Sequence, residues 1–104
     1  MKNMKTTITR EELKQLLNNR NSVMVIDVRN KEEYNENHIP FAKNLTIEII
    51  EAGNFIPEPN KIIITVCGKG GGRSERAAKY LRENSKNRVY FLEGGTFGWV
   101  ENEN

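Results

Sequence analysis

The stretch Val66-Cys67-Gly68-Lys69-Gly70-Gly71-Gly72-Arg73-Ser74-Glu75 holds the one cysteine of the chain. Four of the five residues that follow it are glycines, and an arginine stands where they stop. A sulfur nucleophile works as its thiolate, and a thiolate needs donors around it. Consecutive glycines take positive φ without steric cost, so successive backbone N–H groups can turn inward and form an anion-binding nest. A helix that starts where the glycines end adds its unpaired N–H groups and its dipole at the same point. Arg73 brings a planar fork of donors suited to paired anionic oxygens. Such surroundings commonly lower a cysteine pKa from about 8.5 to roughly 3.5–7.5, so Cys67 is expected to be largely thiolate at neutral pH. The chemistry implied is attack by the Cys67 sulfur on an anion held by Gly68, Lys69, Gly70, Gly71, Gly72, Arg73 and Ser74.

Blander readings compete with this one. A lone Cys after an apolar strand also fits an inert core residue, and a glycine run also fits a flexible linker. Linkers, however, do not usually join a buried strand directly to a well-formed helix, and a linker has no need of Arg73. Nucleotide-binding loops do not match. An ATPase phosphate loop would require Gly at Ile63 and Ser or Thr at Gly70, and a dinucleotide fingerprint starting at Gly68 would require Gly at Arg73.

The elements that must position this loop can be read around it. Three apolar runs, Val23-Met24-Val25-Ile26, Ile62-Ile63-Ile64-Thr65-Val66 and Val89-Tyr90-Phe91-Leu92, suit strands covered on both faces, as in a parallel sheet. Thr9-Arg10-Glu11-Glu12 has capping-box spacing, and Leu13, Leu16 and Leu17 follow at helical intervals, predicting a helix from residue 10 to about 18. Asn30-Lys31-Glu32-Glu33 is a second capping box. Ala77, Ala78 and Leu81 mark the inner face of a helix running from Arg73 to about Ser85, with Glu75, Lys79, Arg82 and Glu83 mostly outside. Pro57 and Pro59 make residues 55–60 a loop. Strands alternating with helices imply βαβ units, with ligands bound at the carboxyl ends of the strands. Cys67 sits at such an end.

Composition narrows the function classes. A chain of 104 residues is the size of one domain, here taken as residues 1–104. Charge is nearly balanced, with 16 Lys+Arg against 14 Asp+Glu and a net +2. No basic block alternates with aromatics, so no nucleic-acid partner is expected. The apolar runs fall well short of the roughly 20 residues that span a bilayer, and MKNMKTTITREEL lacks the apolar centre of a secretion signal. A cytoplasmic protein without membrane contact is the expectation. No Cys/His cluster suggests zinc, and no metal or cofactor is expected.

With these residues in place, the chain resembles a single-domain rhodanese homology domain over nearly its whole length. Val25-Ile26-Asp27-Val28-Arg29, Glu33-Tyr34 and His38-Ile39-Pro40 with Ala42 and Asn44 match one signature of that family. Residues 67–74 occupy its active loop, and Gly94-Gly95 with Trp99 match its closing signature. The resemblance implies an α/β fold in three layers, with a mainly parallel sheet of about five strands and helices on both faces. It implies Cys67 as a nucleophile that carries a persulfide, with Arg73 beside it and with Asp27 and Arg29 supporting the loop structurally. His38 is read as a structural hydrogen-bonding residue rather than a general base, and Trp99 as a core lid.

One departure bears on the reaction. Sulfur-transferring rhodaneses usually have four residues between Cys and Arg, and here there are five. Cys67-x5-Arg73 also resembles the loop of cysteine-based phosphatases and of arsenate-reducing relatives on the same fold. Ester cleavage by a phosphatase needs a general acid for the alkoxide. Asp27 is the only aspartate and is committed beside Arg29, and nothing in their spacing selects Glu75 or Glu93. Arsenate reduction needs a second thiol, which this chain lacks. Sulfur transfer from thiosulfate or a persulfide to a thiol or cyanide needs neither, since sulfite leaves thiosulfate as a stable anion. It is the expected activity, ahead of phosphatase, arsenate reductase and a silent binding module.

Overall fold

A computed structural model describes residues 5–101. Five strands form one sheet in the order β1-β5-β4-β2-β3, and every pairing is parallel. They are β1 (Thr7–Ile8), β2 (Val23–Asp27), β3 (Lys43–Asn44), β4 (Ile62–Val66) and β5 (Arg88–Leu92). The helices are α1 (Arg10–Leu16), α2 (Lys31–Glu36), α3 (Ile47–Glu51), α4 (Gly72–Asn84) and α5 (Gly95–Glu101). The sheet is wholly parallel, and helices cover both of its faces, as expected.

Side-chain alternation along the central strands builds the two cores. Ile26, Ile63, Val89 and Phe91 point to one face and meet Ile47 and Ile50 of α3 and Ala77, Ala78 and Leu81 of α4. Val23, Val25, Ile64, Val66 and Leu92 point to the other, under Leu13 of α1 and Trp99 of α5. Trp99 is therefore a core residue on the layer that α1 covers, its ring nearly perpendicular to that of Phe41.

Both capping boxes form. Thr9 accepts from the Glu12 amide while Glu12 accepts from the Thr9 amide, and Asn30 and Glu33 do the same for α2. The α1 helix stops at Leu16, two residues before the sequence-based end, and residues 17–22 continue as 3₁₀ turns broken at Asn19, whose φ is −126° and ψ 77°. The amino-terminal and carboxyl-terminal halves of the sheet interlock, because β2 lies between β3 and β4 while β1 pairs only with β5. Among the described residues, no helix is long and apolar enough to cross a membrane.

Candidate active site

The site begins where β4 ends. Val66 is the last strand residue, Cys67 follows it, and α4 starts at Gly72, so the loop between them spans only residues 67–71. Its shape is set from outside. The carbonyls of Cys67 and Gly68 accept from the amides of Thr96 and Phe97 at 2.8 and 3.0 Å. These two bonds fix the peptide groups that follow Cys67 and Gly68, whose N–H groups point opposite to the held carbonyls.

Two glycines are required at this contact. Gly70 has φ +81°, and a Cβ there would lie 2.6 Å from Gly94 N and 2.8 Å from Leu92 O. Gly95 has φ +59°, and a Cβ there would lie 2.4 Å from Cys67 O and 2.6 Å from Gly70 N. The Gly94-Gly95 turn is thus the surface against which the nucleophile loop is moulded. Gly95→Ala is expected to cost roughly 2–5 kcal/mol, the sum of a left-handed backbone and an overpacked contact. Urea unfolding measures it, and a loss below about 0.5 kcal/mol, the scale of a neutral surface change, would contradict this packing.

Cys67 lies at the bottom of the loop and is only 4% exposed. Its Sγ is 3.2 Å from Ser74 Oγ and 3.6 Å from Gly71 O. Ser74 Oγ also donates to Gly71 O at 3.0 Å. One hydroxyl thus has two acceptors within reach: the Gly71 carbonyl when the sulfur is a thiol, and the sulfur itself when it is a thiolate. Ser74 is fully buried, its carbonyl held by Thr65 Oγ1 at 2.7 Å, so the sequence-predicted residue faces the sulfur from beneath.

Burial pushes the Cys67 thiol up. The Ser74 hydroxyl and the backbone N–H groups of Ser74, Gly71 and Gly70 outweigh that effect, so its pKa lies below the ordinary thiol value. The thiolate is therefore easier to form in the folded chain than in the unfolded one. This contribution to stability is present above the unfolded thiol's pKa and is lost as pH falls through the lower folded value. The rate of Cys67 alkylation by iodoacetamide should rise with a midpoint below that of a free thiol. In Ser74→Ala the midpoint should move to higher pH; an unmoved midpoint would remove the hydroxyl from the account.

Asp27 and Arg29 are buried together one strand away, at 0% and 1% exposure. Arg29 Nε and Nη2 donate to Asp27 Oδ1 and Oδ2 at 2.9 and 2.8 Å, and Nη2 also donates to Asn37 O at 2.7 Å. The Arg29 guanidinium lies 5.9 Å from the centre of the Phe97 ring. The Thr96 hydroxyl reaches Asp27 Oδ2 at 3.5 Å. The pair thus touches the two residues whose amides hold the loop, a link that residue spacing alone does not show.

Arg73 stands in the first turn of α4, and its fork is engaged. Nη1 and Nη2 donate to Glu33 Oε1 and Oε2 at 2.8 and 3.1 Å. Lys69 is exposed at the loop tip, as are Gly71 and Gly72, while Gly68 is buried beneath the Phe97 ring. His38 lies apart from this cluster: Nδ1 donates to Tyr34 O at 2.8 Å and its ring stacks on Tyr34 at 3.8 Å. A cavity of about 820 Å³ opens at the other end of the sheet between Ser22, Ile62, Tyr80 and Arg88, away from the sulfur.

The family model of the rhodanese-like domain matches residues 9–102. The chain belongs to the rhodanese-like domain family. It is 35% identical over 82 residues to the thiosulfate sulfurtransferase GlpE of Shewanella oneidensis, covering 77% of this chain and 78% of that protein. It is 31% identical over 104 residues to a tRNA uridine(34) hydroxylase of Buchnera aphidicola, covering 94% of this chain but only 33% of the relative, so it spans about a third of that protein's length. The structure of the human single-domain sulfurtransferase TSTD1 superposes with a TM-score of 0.84 at 22% identity, covering 97% of this chain and 100% of that one, which establishes a shared rhodanese-like fold.

Proposed function

We propose that this rhodanese-like domain is a sulfurtransferase that moves sulfane sulfur from thiosulfate or a persulfide to a thiol or cyanide through a persulfide on Cys67. The observation that carries the reading is the convergence of the Ser74 hydroxyl and the Gly70, Gly71 and Ser74 backbone on one sulfur at the end of a parallel strand. Relatives named as sulfurtransferases support the same class of reaction.

In the first half-reaction Cys67 Sγ attacks the outer sulfur of the donor. The new S–S bond forms as the old one breaks, and the electron pair leaves on sulfite or on a thiolate. The terminal sulfur then occupies the cradle, where the backbone N–H groups of Gly70, Gly71 and Ser74 stabilise its charge. An acceptor thiolate attacks that terminal sulfur and restores Cys67. Asp27 and Arg29 support the loop through Thr96 and Phe97. Lys69, exposed at the tip, raises the local positive potential and speeds capture of an anionic donor. Lys69→Ala should therefore raise the KM for thiosulfate with little change in kcat; the reverse pattern would place Lys69 in the chemical step. A reducing compartment such as the cytoplasm suits a resting thiolate, and the acceptor is a small thiol or a protein thiol.

The five-residue spacing between Cys67 and Arg73 keeps a phosphatase reading in view. Two features weigh against it: the Arg73 fork is already taken by a carboxylate, and the Asp27 carboxylate is buried on Arg29. Thiosulfate-to-cyanide transfer and aryl phosphate hydrolysis, assayed side by side with mass spectrometry of the intact protein, test the assignment. A sulfur adduct on Cys67 with thiocyanate release is the expected result. Phosphate turnover without a sulfur adduct would overturn it.

A further inference from the structure

The carboxylate that occupies Arg73 comes from a different part of the fold. Glu33 is the third residue of α2, 40 positions earlier in the chain, and its two oxygens take both terminal nitrogens of Arg73. It is also anchored from behind. The Asn30 amide donates to the same Oε1 at 3.3 Å, and Asn30 Oδ1 accepts from the Glu33 amide at 2.9 Å. Arg73 bonding holds the Glu33 carboxyl below its usual range against the opposing effect of burial. Arg73 is held up by Glu33 first, and after it by the negative charge of Cys67 and Asp27. The guanidinium is bound to the Glu33 carboxylate and also feels the charge at Cys67. The side chains of Arg73 and Glu33 are 45% and 34% exposed, so the pair lies where an incoming solute can reach it.

We propose that Glu33 is an internal competitor for anionic donors: seated on Arg73, its carboxylate fills the fork that a tetrahedral dianion would use and selects donors whose sulfur arrives on a low-charge persulfide. This rests on the sulfurtransferase reading of the loop. A guanidinium whose two terminal nitrogens bind one carboxylate end-on keeps only its Nε–Nη2 edge for a second anion, which would then sit beside the first. Thiosulfate must either displace Glu33 or approach beside it, and in both cases two like charges share the mouth of the site. A persulfide R–S–SH avoids this conflict. Cys67 Sγ attacks its outer sulfur, the Sγ–S bond forms as the R–S–S bond breaks, and the electron pair leaves on R–S⁻. Cys67–S–SH remains, with atoms and charge balanced and no oxidant consumed. The loop amides receive the transferred sulfur, and Arg73 need not let go of Glu33.

Glu33→Gln tests this, because Gln keeps the size and the capping-box acceptor of Glu while removing the charge. Thiosulfate binding to Cys67→Ser and to Cys67→Ser with Glu33→Gln, measured by calorimetry, reads the competition without turnover. The charge-free form should bind about tenfold more tightly, within the usual range for coupling between sites. In the Cys67 protein, Glu33→Gln should raise kcat/KM for thiosulfate by a similar factor, mostly through KM, and leave kcat/KM for cysteine persulfide, whose ammonium and carboxylate cancel, within about twofold. Glu33→Asp, which keeps the charge, should retain the preference for the persulfide. Thiosulfate binding that is unchanged or weakened by Glu33→Gln would overturn the proposal and leave Glu33 as a brace for Arg73. Tighter binding without sulfur loading from either donor would sustain the competition and refute the sulfurtransferase reading instead.

Discussion

Replacing Arg29 by methionine should lower stability by about 3–5 kcal/mol, the loss expected when one member of a buried ion pair is removed and the other stays charged. Asp27 is fully buried and takes its bonds from the Arg29 side chain and amide, with the Thr96 hydroxyl at the margin. Without the guanidinium, a carboxylate is left in the protein interior, and Asn37 O loses its donor as well. For a domain of this size the melting temperature should fall by roughly 10–30 °C. Removing both charges, with Asp27→Asn added to Arg29→Met, should recover a large part of the loss, because no uncompensated ion remains. Denaturant unfolding of the two variants and the parent measures this directly. An Arg29→Met protein within about 1 kcal/mol of the parent, the size of an exposed ion pair, would show that the pair does not behave as a buried one. The same variant should disturb the nucleophile from a distance, since Thr96 and Phe97 lose the surface on which they rest.

The largest functional effect is expected at Cys67. Incubated with a persulfide or thiosulfate, the parent protein should gain the mass of one sulfur atom, and Cys67→Ser should gain none. Turnover should fall by on the order of 10³-fold or more, as when a covalent nucleophile is removed. Serine is close in size and can keep the contact with Ser74, so stability should change by no more than about 1–2 kcal/mol. A persistent sulfur adduct on Cys67→Ser would place the nucleophile elsewhere and remove the basis of the proposed reaction.

How much of this could be read from the residues depends on whether the signal is local. The three central strands were legible because a strand covered on both faces must be apolar throughout, as Ile62-Ile63-Ile64 is. The two capping boxes were legible because each is a four-residue motif satisfied within itself. The edge strands Thr7–Ile8 and Lys43–Asn44 were not, since two residues carry no periodicity and their pairing is set by the sheet. The short helix Ile47–Glu51 did carry a signal: Thr46 caps it by accepting from the Ile49 amide. The helix Gly95–Glu101 contradicts local propensity, with glycines at positions 95 and 98. It forms because its first amides have partners on the nucleophile loop. The chemistry at Cys67 was visible in the chain for the same reason the strands were: cysteine, glycines and arginine lie within seven consecutive residues. The Glu33–Arg73 bond and the reach of Asp27 to Thr96 join residues 40 and 69 positions apart, and only the fold brings them together.

The amides of Thr96 and Phe97 also govern how the glycine-rich loop moves. Four glycines in succession around one lysine would, in an untethered chain, sample more conformations than any other stretch of equal length. Here that freedom is surrendered once, during folding, and not again at each catalytic cycle. The loop and the last helix should accordingly open as a single cooperative unit, with the Thr96 and Phe97 amides that hold it exchanging with deuterium about as slowly as those of the strand that feeds the loop.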